Sequence, residues 1–337
     1  MTWDEINWPV LERLREGFLH GGAAAGVYWK SAEDLANYDF TYGERIGWKW
    51  DAVLRELELR HWQPAPGASV FDWGCGSGIA ARRVIAHFGA ETFSGLTVWD
   101  HSTIAVDFAS SVARNQFPSL QVAPATPRDF TDASPIGLLV ISHVLNELSP
   151  AALADLERVV ARAESVLWVE PGTSVVSRQL GAIRDRLINA FHVIAPCTHA
   201  LPCPALAPEN ERHWCHFFAP PPAGIFADSN WVKFGQRAGI DLRSLPYAFL
   251  ALDRRPRETL ADGWSRIIGR PEHFKPYARF LNCDATGLAE LTLPKRAAPA
   301  LFKELERTRA PLVYRWTRAA AQVVGGESLA QINSPAE

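Results

Sequence analysis

The stretch VFDWGCGSGIAARRVI, residues 70–85, decides how this chain is read. An apolar run of strand length meets Gly74, Gly76 and Gly78, and a helical stretch follows. Glycines at such a turn let the backbone bend sharply and let a ligand approach where a Cβ would collide. There is no G-K-[ST] after the glycines, which excludes the phosphate-cradling Walker loop. The loop is instead D-x-G-x-G-x-G, with Asp72 just before it. A carboxylate there is poorly placed for a pyrophosphate and well placed to accept a hydrogen bond from an ammonium group.

Outward from this loop, apolar runs of strand length recur at 69–73, 93–100, 120–125, 136–142 and 165–171, alternating with helical stretches. That alternation is the signature of βαβ units and a parallel sheet. Between the fourth and fifth runs, Ser149 reads as an N-cap and Pro150 as the first helical residue, with Leu153, Leu156, Val159 and Val160 on one face. The expected fold is α/β, a Rossmann-like sheet. Residues 1–66 read as an N-terminal helical cap and 67–192 as the sheet core. Residues 193–235 read as a cysteine-rich, proline-rich insertion that follows a helix expected over about 174–191. Residues 236–323 hold the remaining strands, including a hairpin of 277–283 and 288–293 turned at Gly287, and 324–337 reads as a disordered tail.

With 47% hydrophobic and 21% charged residues, the 337-residue chain has the profile of a globular protein. Its richest apolar run, 136–145, falls short of the ~18 residues that would cross a bilayer. The N-terminus carries acids where a secretory signal has a basic flank, so the expectation is a cytoplasmic, monomeric protein without a membrane partner. A net charge of −3 gives no broad attraction to nucleic acid. Residues 252–280 nevertheless carry Arg254, Arg255, Arg257, Arg266, Arg270, Lys275 and Arg279, either a solvated strip or a phosphate-facing surface.

The glycine loop with its acids resembles the class I S-adenosylmethionine-dependent methyltransferases. By that resemblance Gly74 and Gly76 line the methionine end of the cofactor, Gly78 belongs to the same cofactor-binding loop, and Asp72 holds the amino group directly or through water. Asp100, at the end of the second strand, takes the ribose hydroxyls, and Asp129 approaches the adenine. His143, Asn146 and Glu147 are the polar residues at the end of the fourth strand, with capping of the next helix as the other reading of the last two. His143 counts here among the cofactor-site residues. The sequence SHVLNEL there is not [DN]-P-P-[YFW], which disfavours methylation of an adenine amino group. Cys75 reads as a small packed residue rather than a nucleophile.

Four cysteines remain, spaced Cys197-x5-Cys203-x11-Cys215 with Cys283 far downstream. Disulfides fit poorly with a chain lacking an export signal. A packed core fits poorly with flanking prolines and histidines, whereas metal ligation explains why a long irregular segment is ordered. Four thiolates suit tetrahedral zinc or a 4Fe–4S cluster, and His199, His213 or His216 is able to replace one sulfur around zinc.

APC-x-H-x3-CP at 195–204, WCHF, SHVLNEL, VEPGT at 169–173 and the late cysteine together resemble the methyltransferase-like family of mitochondrial ribosomal small-subunit assembly proteins and its bacterial relatives, over roughly residues 35–296. The resemblance implies a class I methyltransferase fold with S-adenosylmethionine and a 4Fe–4S cluster on Cys197, Cys203, Cys215 and Cys283. It also implies association with the small ribosomal subunit or its rRNA, with Arg266, Arg270 and Lys275 facing RNA phosphate. The chain departs from the family after WCHF, where FAPPPAG replaces a basic segment. A non-catalytic binding protein, or a methyltransferase for a small-molecule or protein acceptor, are the alternatives.

Overall fold

The computed structural model describes residues 1–19, 29–131, 134–256 and 260–333. The chain forms two compact units, one of Met1–Asp51, Gln63–Val169 and Ala219–Leu245, the other of Ala52–Trp62, Glu170–Phe218 and Pro246–Glu337.

The first unit begins with helices α1 (Trp8–Leu19) and α2 (Ala32–Tyr38), a π-helical turn at Asp39–Gly43 and most of α3 (Glu44–Leu59). Strands and helices then alternate: β1 (Ala68–Trp73), α4 (Ile79–Phe88), β2 (Phe93–Trp99), α5 (Thr103–Gln116), β3 (Val122–Pro124), the single turn α6 (Arg128–Thr131), β4 (Ile136–Ser142), α7 (Pro150–Val160) and β5 (Ala163–Pro171). All five strands pair in parallel in the order β3-β2-β1-β4-β5. Helices on both faces explain why β4 reads IGLLVIS without alternation: Leu138, Leu139, Val140 and Ile141 are all fully buried. The helix after β4 starts as its sequence implies, with Ser149 Oγ accepting from the Ala152 N–H and Pro150 at the first turn.

The second unit contains α8 (Ser174–Leu187), which ends four residues before the expected limit. Beyond it, β6 (His192–Ala195) and β7 (Phe217–Phe218) each pair antiparallel with β8 (Pro246–Asp253). Between β7 and β8 the chain returns to the first unit and forms α9 (Ser229–Ala238), whose Phe234 is buried with Ile6 and Leu11. The residues read as one irregular insertion, 193–235, thus contain two short strands and most of a helix.

The expected hairpin exists as β10 (Tyr277–Asp284) and β11 (Gly287–Pro294). It is part of a closed five-stranded barrel with β9 (Trp264–His273), β12 (Val313–Ala319) and β13 (Gln322–Ser328). Helix α10 (Pro299–Arg307) closes the barrel core by placing Leu301, Phe302 and Leu305 against Phe280, Leu291 and Leu293. The stretch 324–333, expected to be disordered, instead completes β13 and forms α11 (Leu329–Asn333). The remaining tail, 334–337, lies outside the described residues. No helix among the described residues is long and apolar enough to cross a membrane.

Leu138 sits at the centre of the parallel sheet with no exposure. Leu138→Ala is expected to cost about 2–5 kcal/mol, read from urea unfolding midpoints.

Candidate cofactor site and cysteine centre

Strand β1 lies inside the parallel sheet and delivers Asp72 and the glycine loop at its C-terminal end. Gly74, Gly76 and Gly78 take φ of +69°, +50° and +75°, the left-handed region that side chains avoid. A Cβ on Gly74 would stand 2.8 Å from Val144 Cγ1, and one on Gly78 would stand 3.0 Å from Ala109 Cβ. Nothing lies within 4 Å of a Cβ on Gly76. Two glycines therefore let the loop pack, and the third turns its backbone to open space.

Asp100, directly after β2, clamps this loop: Oδ2 accepts from the Gly76 N–H at 3.0 Å and Oδ1 from the Ser102 N–H at 2.9 Å. Asp72 is only 1% exposed, and neither of its oxygens has a hydrogen-bond partner. Burial pushes its carboxyl up to about 7; the Ala81 N–H and Arg82 pull it down without forming a full hydrogen bond, while Asp100 raises it further. Glu147 is pushed up to about 7 as well, by burial and then by Asp100. Beside them Tyr38 is held above its ordinary value by burial and then by Glu147. Asp39, in the π-helical turn, pairs with Arg82. Such turns interrupt helices frequently at functional sites. The chemistry of the pocket is that of linked carboxyls, one of them buried and lacking a donor, which favours a cationic ligand.

The other expected cofactor residues have hydrogen-bond partners of their own. Asp129 lies in α6 and caps its own turn, its Oδ2 accepting from the Thr126 N–H at 2.6 Å and from Thr126 Oγ1 at 2.8 Å. His143 adopts φ +58° at the end of β4. Its Nε2 stands 3.0 Å from Lys49 Nζ and its Nδ1 3.2 Å from Ser142 Oγ, which also accepts from Trp50 Nε1 at 3.0 Å. An ammonium only donates, so Nε2 accepts and Nδ1 carries the proton. Burial and then Lys49 hold this imidazole neutral, well below its ordinary pKa. The α7 cap is Ser149, not Asn146 or Glu147. Cys75 is buried and its thiol is pushed far up by burial, as a packed residue should be.

In the second unit, Cys197, Cys203, Cys215 and Cys283 come within electrostatic reach of one another. Burial raises the Cys215 thiol first, and Cys197, Cys203 and Cys283 each raise it further. Burial likewise raises Cys283, followed by Cys197 and Cys203, and Cys203 reaches about 11 through burial and then Cys197. Cys283 Sγ also lies 3.9 Å from His199 Nε2. Among the described residues no three His, Cys, Asp or Glu side chains are arranged to hold a metal ion.

Three arginines absent from the sequence reading hold the loop by filling its backbone carbonyls, which an irregular segment cannot pair internally. Arg60 donates to the carbonyls of Ile194, Pro196 and Cys197 at 2.8–3.0 Å. Arg184 donates to those of His199 and Leu201 at 2.8 and 2.7 Å, and Arg178 to those of Ala205 and His213 at 2.6 and 3.0 Å. Asp185, paired with Arg184, accepts the Cys203 N–H at 2.9 Å. Glu56, with no exposure, binds both Arg60 and Arg266 at 2.8 Å. Arg266 draws the Cys215 thiol down, and Arg184 does the same to Cys203 and Cys283. Buried guanidinium donors on Arg60, Arg184 and Arg266 have no acceptor. The surroundings of the four thiols are therefore cationic, with a few N–H groups of charge-paired arginines left over as donors.

The basic stretch is not a single phosphate-facing strip. Arg266, expected to face RNA, is 4% exposed, bound to Glu56 and stacked on Phe217. Its place in the interior strand face of β9 required this pairing. Arg255 is bound to Asp253, Arg254 stacks on Phe191 and Arg279 pairs with Glu272. Arg270 and Lys275 are exposed, and Arg257 lies outside the described residues.

The strand order, the glycine loop and its acids define a methyltransferase-like α/β fold. The chain belongs to the family described as Mitochondrial small ribosomal subunit Rsm22, whose model matches residues 48–309. No curated protein matches it in sequence. Among solved structures it is similar to the plantazolicin methyltransferase BpumL in complex with SAH, at 12% identity over 73% of this chain and 99% of that one, TM-score 0.39. It is also similar to the ribosomal protein L11 methylase of Lactobacillus delbrueckii subsp. bulgaricus, at 19% identity over 42% and 68%, TM-score 0.31. A SAM-dependent methyltransferase from Aquifex aeolicus matches at 16% identity over 41% and 80%, TM-score 0.31.

Asp72 titrates in the folded chain near 7 rather than at 3.8. Below 3.8 the carboxyl is protonated folded or unfolded and costs nothing. As pH rises towards 7 the unfolded chain releases its proton first, stability falls, and the loss persists above 7. Asp72→Asn is therefore expected to raise the Tm of the ligand-free protein at pH 8, with a smaller gain at pH 5, in thermal melts at the two values.

Proposed function

We propose that the chain binds S-adenosyl-L-methionine in the glycine-loop pocket, carries a 4Fe–4S cluster on Cys197, Cys203, Cys215 and Cys283, and acts on or assists assembly of the small ribosomal subunit. The observation that carries the cofactor reading is Asp72, a buried carboxyl without a donor, linked through Asp100 to Glu147 under a loop whose Gly76 backbone is open. An α-ammonium on the ligand supplies the missing donor, and the sulfonium adds a second positive charge. Asp100 retains lone pairs for ribose hydroxyls beyond the two backbone N–H groups it already accepts.

S-adenosylmethionine supplies an electrophilic methyl carbon when bound. The chain's own contribution is to orient the ligand and exclude water, and in-line displacement at a sulfonium gains most of its rate from such positioning. Neutral His143 is committed to Lys49 and Ser142. That commitment favours a second reading, in which the pocket stabilises an assembly factor and no methyl group is transferred.

For the cysteines, the electrostatic coupling that puts the four thiols near one another and the leftover guanidinium N–H donors around them support one shared centre. A single zinc would need its sulfurs drawn to about 2.3 Å from one point, whereas a cluster spreads the four thiolates over four irons. Zinc on the same four thiolates is the alternative. The ribosomal reading rests on the family, and Asp129 and His143 are assigned no direct contact in it.

Calorimetric titration tests the pocket. The unaltered chain should bind S-adenosylmethionine, and Asp72→Asn should weaken that binding about tenfold or more, the loss of one charge-assisted hydrogen bond, while stabilising the free protein. Equal affinity in the two proteins would contradict the assignment.

A further inference from the structure

The closed barrel has strand order β10-β11-β13-β12-β9. Its neighbours run antiparallel except β11 and β13, which pair in parallel, and α10 connects β11 to β12. Numbered from β9, this is 1-2-3-5-4-1 with a helix between the third and fourth strands, the connectivity of the oligonucleotide-binding barrel. In that architecture the face of strands two and three and the loop joining strands one and two form the ligand surface. Fold alone does not assign function, and what this barrel can bind is set by the side chains on that loop.

The loop is Phe274-Lys275-Pro276-Tyr277, closed by the Phe274 N–H donating to the Tyr277 carbonyl at 2.9 Å. Phe274 and Tyr277 stack, with centroids 4.7 Å apart and 28° between planes. Phe274 is 40% exposed, uncommon for a ring of its size. The Arg279 guanidinium lies 5.6 Å from the Phe274 ring, and Lys275 is exposed at the loop tip. Lys295 is anchored next to it, its N–H donating to the Pro276 carbonyl, and Arg296 follows, both exposed. A stacked aromatic pair with Phe274 exposed and Tyr277 half-buried, flanked by cations, suits a base stacked above a phosphate backbone. A duplex offers no free base face to such a platform.

The geometry points to the β9–β10 loop as a docking surface for single-stranded RNA, with Phe274 and Tyr277 stacking bases and Lys275, Lys295 and Arg296 meeting phosphates. This deepens the ribosomal reading by naming the surface and the strandedness of the RNA, and it rests on that reading. It also relocates the RNA contact from Arg266, which is buried, to the far end of the same strand.

The test is fluorescence anisotropy of the full chain with a labelled oligouridine of about 12 nucleotides, against the same length of duplex. The unaltered chain should prefer the single strand. Phe274→Ala with Tyr277→Ala should weaken binding about tenfold or more, and Lys275→Glu should weaken it and flatten the salt dependence. Calorimetric S-adenosylmethionine affinity and Tm are followed in each variant, so a failure of the pocket assignment shows separately. Absence of binding by the unaltered chain, preference for duplex, or unchanged RNA affinity in both the ring variant and Lys275→Glu would overturn the proposal.

Discussion

The carboxylate of Glu56 is the point on which the cysteine centre depends. It has no exposure and holds two buried guanidinium groups at once, Arg60 and Arg266. Arg60 then fixes the backbone around Cys197, and Arg266 stands beside Cys215 in the strand that neighbours Cys283. Removing one member of such a buried network costs more than its mutual attraction is worth, because the remaining charges lose their compensation. Arg60, just past the end of α3, and Arg178 and Arg184 on α8 hold the carbonyls of the segment that carries the cysteines.

Both centres bury polar atoms that lack partners. At the glycine loop both oxygens of Asp72 are buried without a donor, and around the cysteines single guanidinium N–H groups of Arg60 and Arg184 and two nitrogens of Arg266 are buried without an acceptor. Each arrangement is costly in the free chain and is relieved by a ligand of the complementary charge. The cost at Asp72 appears as a carboxyl titrating near neutrality.

The parallel sheet was legible because its strands are continuous apolar runs bounded by clear helix caps, with Ser149 and Pro150 standing where the pattern places them. The glycine loop and Asp100 were legible for the same local reason: their chemistry lies within a few residues of a strand end. Arg60, Arg184 and Glu56 were not, since a helical arginine or glutamate reads as a solvated side chain until the carbonyls or charges it meets, more than a hundred residues away for Arg60, are brought to it. Arg266 was misread for that reason. The barrel was also hidden, because β12 and β13 alternate weakly and pair with β9 and β11 across long separations. Gly325 and Gly326 gave the final strand the look of a flexible tail.

The proposed cluster on Cys197, Cys203, Cys215 and Cys283 has the widest consequences, since it would join a proline-rich loop to a distant hairpin. Metal analysis of the anaerobically purified chain tests it most directly. About four irons per chain, lost on replacing Cys283 with serine, is the predicted result. One zinc per chain with no iron, or iron content indifferent to Cys283, would contradict it.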